Sequence, residues 1–136
     1  MITGVNHITF SVKDLEESFV FYTQVLGFQP IAKWSKGAYL LAGDTWIALT
    51  VDHCVRETVL PEYTHIAFTV SMQDFEALSD RIKGSRVEIW QDNRSEGASL
   101  YFIDPNGHKL EIHASDLETR IKTAKAAPWA ELEFFV

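Results

Sequence analysis

Cysteine is almost absent: Cys54 is the only one in 136 residues, so no intrachain disulfide can form. A reducing compartment, the cytoplasm, is therefore the expectation. No motif surrounds the thiol, which argues against a nucleophile. Nowhere does an apolar run approach the ~20 residues of a membrane span. The opening Met-Ile-Thr-Gly-Val-Asn-His has no basic stretch ahead of an apolar one, so no secretory signal is expected. Low-complexity sequence is missing too. Positive charge is scarce: 12 Lys and Arg against 19 Asp and Glu leave a net −7. That balance disfavours nucleic acid as a partner and requires any anionic substrate to find locally clustered cations. What remains, 46% hydrophobic and 23% charged, is ordinary for a folded domain. The length suits one domain, or two half-size modules sharing a core.

The chain reads as one unit written twice. Residues 5–12, Val-Asn-His-Ile-Thr-Phe-Ser-Val, match residues 63–70, Tyr-Thr-His-Ile-Ala-Phe-Thr-Val, at His, Ile, Phe and Val. Each segment alternates with period two, so each predicts a half-buried strand with its histidine on the polar face. A helix should follow each strand. Asp14 caps the run from Leu15 to Leu26, which Gly27 stops; Ser71 or Asp74 starts a second helix, closed by Gly84. Three short strands are expected after each helix, near 28–34, 38–42 and 45–51, then near 86–91, 98–103 and 108–113. The turns between them fall at Lys36-Gly37, Gly43-Asp44 and Pro105-Asn106-Gly107. The fold class expected is α+β, with two βαβββ modules, about 1–52 and 63–114, and a linker at about 53–62. A helix and tail complete the chain over about 115–136, with a stop at Pro128 and a short extended segment over 130–136.

Equivalent histidines in two repeats, His7 and His65, suggest a shared metal site. Glu111 is the third candidate, on the last strand of the second module. Aligning Gly43 with Gly107 sets Ile47 in the first module where Glu111 stands in the second. Two neutral imidazoles and one carboxylate suit a borderline or hard divalent ion, and three ligands leave positions open for substrate. Mn²⁺, Fe²⁺, Zn²⁺ and Mg²⁺ all fit this set. A lone strand histidine is more often structural; the repeat equivalence is what favours the metal. His113 shares the face of Glu111 and is read as its supporting partner or a rim residue. His53 and His108 fall in loop or turn positions and are expected to be solvated.

With these residues in view, the chain resembles the vicinal oxygen chelate superfamily, and within it the fosfomycin-resistance glutathione transferases of the FosA type. The resemblance spans nearly the whole chain. It rests on Asn6-His7-Ile-Thr9, Gly37-Ala-Tyr39-Leu, Gly43-Asp-Thr-Trp46, Tyr63-Thr-His65, Asn93-Arg-Ser-Glu-Gly-Ala-Ser99-Leu-Tyr101, Asp104-Pro-Asn-Gly-His-Lys-Leu-Glu111 and Asp116-Leu-Glu-Thr-Arg120. It implies a cupped mixed sheet around the metal, a module-swapped homodimer, and addition of glutathione to the epoxide of fosfomycin with Mn²⁺ and K⁺. Thr9 would be catalytic, donating to the epoxide oxygen. Tyr39, Trp46, Gln91, Arg94, Ser99, Tyr101 and Arg120 would bind substrate. Asn93, Ser95, Glu96, Gly97 and Ser99 would form a potassium loop, and Trp34, Lys36 and Tyr39 would face the thiol.

Without the motif, Arg94 and Arg120 would read as surface charges and the aromatics as core. The chain departs from the family pattern at Gln91, where Lys is usual, and at Ile66 and Ala48, where Tyr and Cys are common. The alternatives are a bacillithiol transferase, a fosfomycin epoxide hydrolase, a drug-binding protein without catalysis, a glyoxalase or a ring-cleaving dioxygenase.

Overall fold

Alternation in the sequence becomes two small sheets of identical plan. The computed structural model describes residues 1–136. Strand β1 (His7–Val12) leads into helix α1 (Leu15–Val20), then β2 (Gln29–Trp34), β3 (Gly37–Ala42) and β4 (Thr45–Val51). The second module repeats this with β5 (Ile66–Thr69), α2 (Met72–Gly84), β6 (Ile89–Gln91), β7 (Ser99–Ile103) and β8 (Lys109–His113); α3 (Leu117–Ala126) follows. The strand orders are β1-β4-β3-β2 and β5-β8-β7-β6, with the first pair of each parallel and the rest antiparallel. One permutation used twice bears out the α+β reading of paired βαβββ modules.

Local chemistry sets the helix starts. Asp14, Ser71 and Asp116 each accept a backbone N–H three residues on, at Glu17, Asp74 and Thr119. Some expected ends differ. The run 15–26 is not one α-helix: Phe21–Val25 widens into a π-turn, with Leu26 N–H donating to the Phe21 carbonyl and Phe28 N–H to that of Tyr22. The second helix closes at Gly84 as expected, and Arg86 beyond it is left-handed (φ 64°). Residues 130–136 form no strand.

The core is common to both modules. Phe10, Val12, Phe21, Tyr22, Leu40, Ile47 and Leu49 of the first pack with Ile82, Leu100, Phe102, Leu110 and Ile112 of the second. A buried polar knot joins them as well. Asp104 is 4% exposed and accepts from the Tyr22 hydroxyl at 2.6 Å and from the N–H groups of Asn106 and His108 at 2.8 Å. Asn106 reaches Ser18 and receives Lys13 N–H, while the His108 ring bonds the Ser11 carbonyl at 2.8 Å. His108 is thus buried (8% exposed), correcting the expectation of a solvated turn residue. The Asp104–Gly107 turn is a clasp between modules.

Burial, then the Asp104 charge and hydrogen bond, hold the Tyr22 phenol well above its ordinary pKa of 10.0. Below about pH 10 both folded and unfolded chains keep the proton, so the contribution is fully present. Above that, the unfolded chain ionises first and stability falls as pH rises towards the folded value. Denaturant midpoints measured between pH 8 and 11 should drop in the wild type and drop less steeply in Tyr22→Phe.

Candidate metal centre

Each sheet has one open face, and the register shows what stands on it. Across the first sheet Tyr39, Ala48 and Thr9 are direct neighbours; across the second, Tyr101, Glu111 and Ala67 are. Ala48 is therefore the counterpart of Glu111. Ile47 is not: it is fully buried in the core. The glycine alignment slipped by one because the β3–β4 turn closes at Ala42↔Thr45, whereas the β7–β8 turn closes at Ile103↔Lys109 and is longer. A one-residue slip exchanges the faces of a strand.

His65 Nε2 lies 3.0 Å from Glu111 Oε1. Its other nitrogen, Nδ1, is 2.8 Å from the Tyr63 carbonyl, which can only accept, so Nδ1 carries the proton. In the neutral ring the Nε2 lone pair then faces a carboxylate oxygen. Two electron-pair donors at this separation need a proton or a metal cation between them. His7 is oriented in the same way: Nδ1 meets Asn6 Oδ1 at 2.7 Å, which leaves Nε2 as the unprotonated nitrogen of the neutral ring. The donor set fits a divalent ion. Within one chain, however, no group of three or more His, Cys, Asp or Glu side chains is placed to hold a metal. The single chain brings His65 and Glu111 together and leaves His7 on the other sheet.

Aromatic rings wall both faces. Trp46 lies against His7 (4.2 Å between centroids) and Tyr39, which in turn meets Trp34. The Trp46 indole N–H is buried without a partner. His65 is ringed by Tyr63, Trp90 and Tyr101 at 5.0–5.9 Å. A cleft of about 460 Å³ between β1 and β5 is lined by Thr9, His65, Arg56, Lys109 and others.

The Glyoxalase/Bleomycin resistance protein/Dioxygenase profile matches residues 4–112, which include both histidines and Glu111. The chain belongs to that superfamily. Within it, the chain is 45% identical to the glutathione transferase FosA of Serratia marcescens, over 98% of this chain and 96% of that one. It is 36% identical to the metallothiol transferase FosB of Lysinibacillus sphaericus, over 98% and 97%. A crystal structure of the fosfomycin resistance protein FosX from Listeria monocytogenes superposes with a TM-score of 0.79 at 32% identity, covering 90% of this chain and 99% of that one. Another FosX structure, of a variant, holds Mn(II) and 1S,2S-dihydroxypropylphosphonic acid (TM-score 0.78, 32% identity, 90% and 99% covered).

The remaining predicted positions of this superfamily member divide by module. Thr9, Trp34, Lys36 and Tyr39 are exposed on the first, and Trp46 is half-buried there. Gln91, Ser99 and Tyr101 stand on the second, with Ser99 and Tyr101 beside Glu111; Arg120 is on α3, and Arg94 is exposed. Asn93 closes its loop on itself, accepting Ser95 N–H and donating to the Gly97 carbonyl. Glu96 instead turns to Arg120 (3.1 Å) and Ser115 (3.0 Å). Burial alone would raise the Glu96 pKa; the hydrogen bonds from Arg120 and Ser115, with the Arg120 and His113 charges, outweigh it and hold it low. The Ser99 hydroxyl lies 2.7 Å from Glu111 Oε2 and 2.6 Å from His113 Nδ1.

Sequence reasoning assigned no site role to Tyr63 or Trp90. Gln91 donates to the Tyr63 hydroxyl at 2.9 Å, and the ring of Trp90 sits 5.2 Å from that of His65. The signal for Tyr63 was its place two residues before His65, within carbonyl reach of the imidazole.

Proposed function

We propose that this protein is a metal-dependent thiol transferase that opens the epoxide of fosfomycin, or of a similar phosphonate, with glutathione. The observation that carries the reading is the 3.0 Å approach of His65 Nε2 to Glu111 Oε1, an imidazole and a carboxylate that would both serve as metal ligands. His7 would be the third ligand. Since it sits on the other module, a second chain would bring it to the His65 and Glu111 of its partner in a homodimer. Strand β2 is exposed at all six positions, which suits a surface awaiting another subunit.

A divalent ion such as Mn²⁺ bound there would supply Lewis-acid polarisation of the epoxide oxygen. The Thr9 hydroxyl would donate to that oxygen as negative charge develops on it. Arg120, held by Glu96, and Arg94 would bind the phosphonate oxygens, for which a guanidinium has matching geometry. Tyr101 and the Gln91–Tyr63 pair would complete the anion side with neutral donors. Trp34, Tyr39 and Trp46 would wall the thiol and epoxide from water, with Lys36 at the thiol entrance. The loop of Asn93, Ser95, Glu96, Gly97 and Ser99 would take K⁺. The identity to FosA supports glutathione as the thiol, and the absence of a second carboxylate at Ala48 suits a three-ligand centre. The likeness to FosX, one structure of which holds a dihydroxy phosphonate, keeps water as the second nucleophile to test.

The protein, Mn²⁺ and fosfomycin incubated with glutathione, with bacillithiol or with no thiol should give one dominant product by mass spectrometry. A glutathione adduct is expected. A diol in every tube would reassign the protein as a hydrolase. No product in any tube would sink the substrate assignment.

A further inference from the structure

The second oxygen of Glu111 belongs to a chain of contacts that runs through Ser99 to His113. Ser99 Oγ sits 2.7 Å from Glu111 Oε2 and 2.6 Å from His113 Nδ1, and His113 Nδ1 is itself 3.4 Å from Oε2. A hydroxyl has one proton to give. A carboxylate can only accept, so the Ser99 proton goes to Glu111 and Ser99 in turn accepts from His113 Nδ1–H. The direction of the chain is therefore His113 to Ser99 to Glu111.

Two further neighbours border the ring. Glu96 Oε1 lies 3.8 Å from His113 Nε2 and is tied to Arg120 and Ser115. Gly97, with φ +78°, brings its backbone so close that an added Cβ would stand 3.2 Å from His113 Cε1 and 2.8 Å from Ser115 Cβ. His113 is bordered by Glu96 and Gly97, and its Nδ1 is aimed at Ser99.

We propose that His113 is a positioning residue for the metal centre. Acting through Ser99, it fixes the Glu111 carboxylate so that Oε1 stays turned towards His65. The inference rests on the reading of His65 and Glu111 as metal ligands. A carboxylate free to rotate would spend part of its time with neither oxygen on the metal, and outer hydrogen bonds of this kind are worth about 10–100-fold in metal affinity.

The test is Mn²⁺ titration without substrate, read by the electron paramagnetic resonance of the free ion. His113→Ala should bind Mn²⁺ about 10–100-fold more weakly than wild type. His113→Asn, whose amide N–H replaces Nδ1, should recover most of the loss. His113→Gln, whose amide falls at the place of Nε2, should not. Ser99→Ala should weaken Mn²⁺ binding comparably, and the double variant should be no weaker than the worse single one, since both cut one chain. Packing alone would favour the larger Gln over Asn. Wild-type affinity in His113→Ala, equal recovery by Gln and Asn, or additive losses in the double variant would each overturn the proposal. Should His113→Ala fail to fold, the Asn and Gln pair still decides. A wild type that binds no Mn²⁺, or a Glu111→Gln that binds it unimpaired, would instead defeat the metal-site reading itself.

Discussion

Two inactive variants, refolded together, should regain about a quarter of the wild-type rate. His7→Ala and Glu111→Gln each remove a proposed ligand, and each alone should lose at least about 10³-fold in kcat/KM, some 4 kcal/mol of transition-state stabilisation. On the proposed two-chain arrangement, every centre takes His7 from one chain and His65 with Glu111 from the other. In an equal mixture half of the dimers contain one chain of each kind. Such a dimer has one centre carrying both substitutions and one carrying neither. One intact centre in every four gives the quarter. Were each centre completed within a single chain, no combination of the two would contain an intact set and the mixture would stay inactive. The measurement is glutathione-adduct formation after denaturing and refolding the mixture, with each variant treated alone as the control.

The second large effect is on stability. Asp104→Ala should cost about 3–5 kcal/mol, because a buried acceptor of three hydrogen bonds is deleted and its donors are left in the core. For a chain of this size the loss corresponds to a fall in Tm of roughly 10–18 °C. Asp104→Asn, nearly isosteric, should cost less than half as much: its carbonyl oxygen still accepts the Asn106 and His108 N–H groups, and its amide faces the Tyr22 hydroxyl, which can accept. Tyr22→Phe should cost about 1–2 kcal/mol at neutral pH. Thermal melts of the three variants would rank them. An Asp104→Ala protein as stable as wild type would mean that the turn, rather than its carboxylate, holds the modules together.

Much of this was legible in the residues. The match of His7 with His65, the alternation of the strands and the capping residues Asp14 and Ser71 gave the modules their plan. What escaped depended on distances along the chain that no local pattern carries. The burial of His108 is set by the Ser11 carbonyl, 97 positions away. The counterpart of Glu111 was misread as Ile47 because one extra turn residue cannot be told from one fewer strand residue until the ladder is drawn. The proposed site was legible as a set of ligand types but not as a place, since His7 stands on one sheet and Glu111 on the other.

The clasp at Asp104 also bears on how the chain comes into being. Tyr22 and its carboxylate partner are 82 residues apart. At ordinary synthesis rates roughly 4–16 s separate their appearance. Over that interval the first module has α1 without the acceptor for its buried phenol, and half of its core lacks the opposing strands. It cannot complete itself while the ribosome is still reading the second half. Truncated products ending before the β7–β8 turn should therefore be recognised by chaperones and proteases rather than persist as half-size folded proteins. The duplicated plan, which looks like two independent units, matures as one.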